Sequence, residues 1–269
     1  MQEYFWEEKG IYYRKNNFDP TKVTLVFVHG VSGSCSAWWP FEKILENKYN
    51  ILTYDIRGHG SSKKYPNYED YSVKNFTADF NDLVTYLQIE KFVLISSSFA
   101  TLIAREYLKG HRENVTALIF TSTETFDENA FYVKVIRFLL KIITGIISLF
   151  PFNPKIRGHV DYSKIKCSDF STQRNFADTK NTGLRAHLYT LRQSFEPNQE
   201  YELEKINIPT LIIHGEKDSF APIKDAIIFS KKIKNSKFVI IPKFDHDIHH
   251  NAYKEMCSAI EDFIKEIPN

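Results

Sequence analysis

Serine, histidine and carboxylate side chains occur in this chain where acyl transfer could use them. The stretch Phe92-Val-Leu-Ile-Ser-Ser-Ser-Phe-Ala-Thr101 brings Ser96, Ser97 and Ser98 to the point where an apolar run gives way to a helical pattern. Toward the other end Asp245, His246, Asp247, His249 and His250 crowd together, and Asp218 follows another apolar run. A serine hydroxyl becomes a nucleophile when a neighbouring histidine takes its proton, and a carboxylate on the far ring nitrogen fixes the imidazole tautomer. Other uses compete with that one. Serines end strands and cap helices, Asp218 could cap a helix after Pro222, and imidazoles beside carboxylates can hold a divalent ion.

Whatever these groups do, regular elements must position them. Apolar, β-branched runs at Val23–Val28, Asn50–Tyr54, Phe92–Ile95, Ala117–Thr121, Thr210–His214 and Phe238–Ile241 read as buried parallel strands. Between them Phe76, Phe80, Leu83, Val84 and Leu87 share one helical face, as do Ala100, Ile103, Ala104, Tyr107 and Leu108. Met256, Ile260, Phe263 and Ile264 repeat the pattern near the end. Alternation of this kind predicts an α/β fold, a mostly parallel sheet with helices on both faces, because right-handed crossovers place them there. Tyr4 to Arg14, turning at Lys9 and Gly10, predicts an antiparallel hairpin at its edge.

From about Thr125 to Gln199 the alternation stops. A long apolar helix is expected from Phe131 to Phe150, followed by Pro151, Pro154 and polar helical sequence. The expected organisation is therefore one core, residues 1–124 and 200–269, with a helical cap inserted over 125–199.

Composition narrows the partners. A net charge of +2, scattered along the chain, lacks the basic face of a nucleic-acid binder. Met1 to Lys9 carries Glu3, Glu7 and Glu8 and has neither the basic start nor the apolar stretch of a secretory signal, so a cytoplasmic protein is expected. Cys35, Cys167 and Cys257 show no metal-ligand spacing and read as three reduced thiols. The charge-free run from Ile142 to Phe152 is too short to cross a bilayer as a helix.

The junctions resemble those of the α/β-hydrolase family. Its nucleophile sits on a sharp strand-to-helix turn, usually within Gly-x-Ser-x-Gly, where residues two away on either side must be small. Centring that pattern on Ser98 puts Ser96 and Ala100 at the crowded positions, whereas Ser97 would put Ile95 and Phe99 there. Leu25-Val-Phe-Val-His-Gly-Val31 resembles the family's oxyanion loop, which implies backbone donors at Val31 and at Phe99 and a structural role for His29. Tyr54-Asp-Ile-Arg-Gly-His-Gly-Ser-Ser62 resembles the Asp-x-Arg-Gly-x-Gly-Ser loop, with Asp55 and Arg57 bracing it. Ile212-Ile-His-Gly-Glu-Lys-Asp-Ser-Phe-Ala-Pro222 resembles the segment that carries the acid, which implies Asp218, with Glu124 and Asp127 as alternatives after the preceding strand. The loop after the last strand implies His246 as the base, with Asp245 where the family usually has glycine. The order Ser, Asp, His matches the family's.

The resemblance implies a serine hydrolase acting on a small-molecule carboxylic ester through an acyl-enzyme, with no metal and no organic cofactor. Serine rather than aspartate at the turn argues against alkyl-enzyme chemistry. An apolar cap helix, with Lys134, Arg137 and Lys141 along one side, is accounted for first by packing onto the main domain; it could also cover an acyl pocket for a medium-length or acylglycerol-like ester, or touch a membrane surface. Carbon–carbon bond hydrolysis and cofactor-free peroxidation use the same three residues, and a binding protein without turnover is the reading from outside the enzymes.

Overall fold

The computed structural model describes residues 1–123, 129–165, 172–196 and 203–267. Eight strands form one sheet: β1 (Gln2–Trp6), β2 (Ile11–Lys15), β3 (Thr24–Val28), β4 (Asn50–Tyr54), β5 (Phe92–Ser97), β6 (Val115–Thr121), β7 (Thr210–Gly215) and β8 (Ser236–Ile241). Their spatial order is β1-β2-β4-β3-β5-β6-β7-β8. The terminal hairpin β1–β2 is antiparallel and joins β4 antiparallel, and every pairing from β4 through β8 is parallel.

Period two along the strands divides the core. In β3, Leu25 and Phe27 face one side while Val26 and Val28 face the other; in β5, Val93 and Ile95 oppose Phe92 and Leu94. One side is covered by α1 (Trp39–Leu45) through Phe41 and Leu45, and by the last helix through Met256, Ile260 and Phe263. The other is covered by α2 (Val73–Tyr86) and α3 (Ala100–His111), whose Phe76, Phe80, Ile103 and Tyr107 occupy the predicted stripes, with Phe229 of a later helix beside them. This is the expected α/β architecture, with apolar strands buried on both faces.

Between β6 and β7 the described chain forms α4 (Phe131–Ser148), α5 (Thr172–Thr182) and α6 (Leu184–Ser194). After β7 come α7 (Ile223–Lys232), then β8, α8 (Ile248–Asn251) and α9 (Tyr253–Glu266). Val133 and Leu140 of α4 pack with Phe195 against Leu188 and Leu191 of α6. Among the described residues no helix is long and apolar enough to cross a membrane.

Candidate active site

Ser98 stands between β5 and α3 with φ of 53°, a left-handed conformation that costs a non-glycine residue energy and persists only when its surroundings fix it. Here its amide donates to the Thr121 carbonyl at 2.9 Å, and the amide of Thr101 returns to the Ser98 carbonyl at 2.9 Å. Gly30 packs against this turn: a Cβ there would lie 3.1 Å from both the Ser97 carbonyl oxygen and Ser98 Cβ. A side chain there would make the apposition tight.

His246 follows β8, and its Nε2 lies 3.2 Å from Ser98 Oγ. Its Nδ1 lies 2.9 Å from Asp218 Oδ2, so the ring spans the gap between hydroxyl and carboxylate. Asp218 is buried, and its Oδ1 accepts from the amides of Phe220 and Ala221 at 3.0 and 2.7 Å. Three strand ends thus bring together the serine, histidine and aspartate that the sequence singled out. Glu124 and Asp127, the alternative acids, lie outside the described residues.

The base loop is tied down from several directions. Asp245 Oδ1 accepts from the amides of His246 and Ser219 at 2.7 and 2.9 Å, so the carboxylate in the glycine position joins the base loop to the acid loop. Gly215 makes room for that loop: a Cβ there would fall 2.4 Å from the Asp245 carbonyl oxygen. Ser122 Oγ donates to the His246 carbonyl at 2.6 Å, and His214 Nε2 lies 3.2 Å from Asp218 Oδ2 while donating to the Ala221 carbonyl at 2.8 Å. Burial lowers the His214 pKa. Nothing in the sequence marks Ser122, because its role depends on two distant strands meeting.

His29 donates from Nδ1 to the Gly30 carbonyl at 2.8 Å and accepts at Nε2 from the Ile56 amide at 3.1 Å. It clamps the Gly30 loop to the loop after β4. Arg57 makes a paired contact with Asp79 at 2.7 and 2.6 Å, and Asp55 accepts from the amides of Cys35 and Ser61 at 2.7 Å each. Val31 lines the cavity above Ser98, while Phe99, at the start of α3, has its side chain buried against Phe76 and does not line the cavity. The first amides of a helix have no carbonyl one turn earlier to bond, and the helix dipole favours negative charge beside them.

The cavity holds about 310 Å³ and is bounded below by Ser98 and His246 and above by α5 and α6. Arg174, Asn175, Asp178 and Thr179 of α5 and His187 and Leu191 of α6 line it. Of the uses considered for the long apolar helix, it packs rather than covers the pocket: no α4 residue lines the cavity, and its inward face is occupied by α6. Arg174 pairs with Asp247, beside the base, at 2.6 Å and with Asp178 at 3.3 Å. Burial raises the Asp178 pKa to about 6 despite Arg174 and a hydrogen bond from Tyr162. His187 Nδ1 bonds the Ser32 hydroxyl on the Gly30 loop. Sequence reading missed these polar cap-side groups, since α5 carries no apolar stripe that would orient it.

Metal-ligating side chains also meet outside the cavity. Cys35, Asp55 and His159 bring their polar atoms within 4.8 Å of one another, with His159 Nε2 at 2.8 Å from Asp55 Oδ2 and 3.5 Å from Cys35 Sγ. One ring nitrogen thereby fastens the segment after α4 to the loop after β4. The cluster Asp245 to His250, whose residue types would suit a metal, instead divides: His246 faces Ser98, Asp247 pairs with Arg174, and His249 is buried near Trp38.

Comparisons with known proteins agree with this architecture. Residues 23–157 match the model of the alpha/beta hydrolase fold family. A solved alpha/beta hydrolase enzyme from a Medee basin deep-sea metagenome library superposes with a TM-score of 0.75 at 18% identity, covering 100% of this chain and 98% of that one. A thermophilic esterase from Thermogutta terrifontis gives a TM-score of 0.73 at 18% identity over 96% of this chain and 95% of its own. The 3-oxoadipate enol-lactonase 1 of Acinetobacter baylyi is 23% identical over 245 residues, 90% of this chain and 89% of the relative. On its family match, its sheet order and its strand-to-helix junctions, the chain belongs to the alpha/beta hydrolase fold family.

Proposed function

We propose that the protein is a serine hydrolase that cleaves carboxylic esters through an acyl-enzyme. The observation that carries this reading is the line from Ser98 Oγ through His246 to Asp218, with contacts of 3.2 and 2.9 Å. His246 takes the Ser98 proton as Oγ attacks the ester carbonyl, and returns it to the leaving alcohol. Water, deprotonated by the same histidine, then releases the acid. Asp218 holds the ring in the tautomer with the proton on Nδ1 and favours the imidazolium formed during attack. Amides of Val31 and Phe99 receive the developing oxyanion.

A cavity of about 310 Å³ suits short to medium acyl groups. A fluorophosphonate probe followed by intact-mass measurement tests the nucleophile, and nitrophenyl esters of graded chain length test the pocket. The expected result is one adduct on the wild type, none on Ser98→Ala, and turnover that falls from medium to long esters. A wild type that neither takes the probe nor turns over any ester would instead favour a binding role.

A further inference from the structure

The outward face of α4 is apolar and, among the described residues, exposed. Phe131, Val135, Phe138, Ile142, Ile146 and Leu149 follow one another at helical spacing along it and are all exposed, Phe131 and Leu149 by 83% and 84% and Phe138 by 63%. The opposite face is spent on packing, through Val133, Leu140 and Thr144. A side chain of this size in water costs free energy in proportion to its apolar area, so a contiguous row of them marks a contact surface.

Charge identifies the partner. No aspartate or glutamate occurs from Asn129 to Val160, in a chain whose acids and bases otherwise nearly balance, whereas Lys134, Arg137, Lys141, Lys155 and Arg157 all fall there. Lys134 and Lys141 are exposed and stand a near-whole number of turns apart, forming a cationic edge beside the apolar row. Arg137 turns inward to the Phe195 carbonyl at 2.6 Å, and Lys155 is exposed beyond the helix. An apolar face bordered by cations and free of acids complements a surface that is negative at its edge and hydrocarbon beneath. We propose that α4 lies in the plane of an anionic lipid surface, with its apolar row among the acyl chains and Lys134 and Lys141 at the headgroups.

This placement fits the geometry of the site. Because α4 packs on α6, which lines the cavity, the helix can rest on a bilayer without filling the pocket. Such contact holds the molecule at the surface by one face and involves no spanning segment.

The test is sedimentation of the full chain with vesicles of phosphatidylcholine alone and of phosphatidylcholine with about a third phosphatidylglycerol. Binding to the anionic vesicles should exceed binding to the neutral ones by about tenfold or more and weaken as salt is raised. The double variants Phe138→Ser/Ile142→Ser and Lys134→Glu/Lys141→Glu should each lose it. Both change exposed side chains only, so unchanged circular dichroism and unchanged hydrolysis of a soluble ester exclude misfolding. A protein that stays in the supernatant with both vesicles overturns the proposal, as does equal binding to both. A wild-type dimer in solution that Phe138→Ser/Ile142→Ser dissociates, without vesicle binding, would assign the face to a second copy of the chain.

Discussion

Asp218 shares one carboxylate oxygen between two histidines, His246 at 2.9 Å and His214 at 3.2 Å, while its other oxygen is held by two amides. Asp218→Asn keeps the shape but puts an amide where the ring needs an acceptor, so kcat for ester cleavage should fall by about 10⁴-fold with little change in KM, as steady-state kinetics would read. His249 makes a different kind of prediction. Burial holds its pKa down to about 3, so the folded protein keeps it neutral. Unfolding returns it to the ordinary value of 6.5. Stability from this group is complete above that value and is lost as pH falls from it toward about 3, at about 1.4 kcal/mol per unit. Urea titrations from pH 7 to 5 should therefore show His249→Gln losing less stability than wild type; equal slopes would remove His249 as the cause. Ser98, His246 and Asp218 were readable because each follows a β-branched run, where the family's chemistry is expected. The second histidine on Asp218 lies within the same motif, but its contact with the carboxylate depends on the path of the loop through Ala221.

The strands were legible as elements because period two and β-branched residues coincide with burial on both sides, and β4 runs over Asn50–Tyr54 as expected. The helices between β6 and β7 were less so. The apolar α4 invited placement over the pocket, yet α6 and the polar α5 line it, and α5 is positioned by ion pairs that local patterning does not reveal. Arg174 is the chief of these, joining α5 to Asp247 in the loop that holds His246. Arg174→Met would remove the cation from the largely enclosed Asp247 and from the buried Asp178, leaving Asp178 only its bond from Tyr162, a change that typically costs about 3–5 kcal/mol. Thermal unfolding should fall accordingly, and kcat should fall with it because the base loop loses its anchor. Full activity in a destabilised variant would mean that the ion pair holds α5 alone.

At the scale of the molecule, two surfaces of the β6–β7 segment face in different directions. Its α5–α6 side closes the cavity over Ser98, and its α4 side presents the apolar row. The fastening of this segment to the core includes His159, whose ring reaches Asp55 and stands 3.5 Å from the Cys35 sulfur. Cys35 is fully enclosed, as Cys257 nearly is on the inward face of α9, so neither thiol meets solvent in the closed molecule. Their enclosures differ in depth. Cys257 packs with the sheet's own core, whereas Cys35 lies beneath a contact between segments. In a Cys167→Ser background, maleimide should therefore modify Cys35 well before Cys257, at a rate set by local opening rather than global unfolding. His159→Ala should accelerate the first reaction and leave the second unchanged, which makes the buried sulfur a chemical clock for how often the segment lifts from the core.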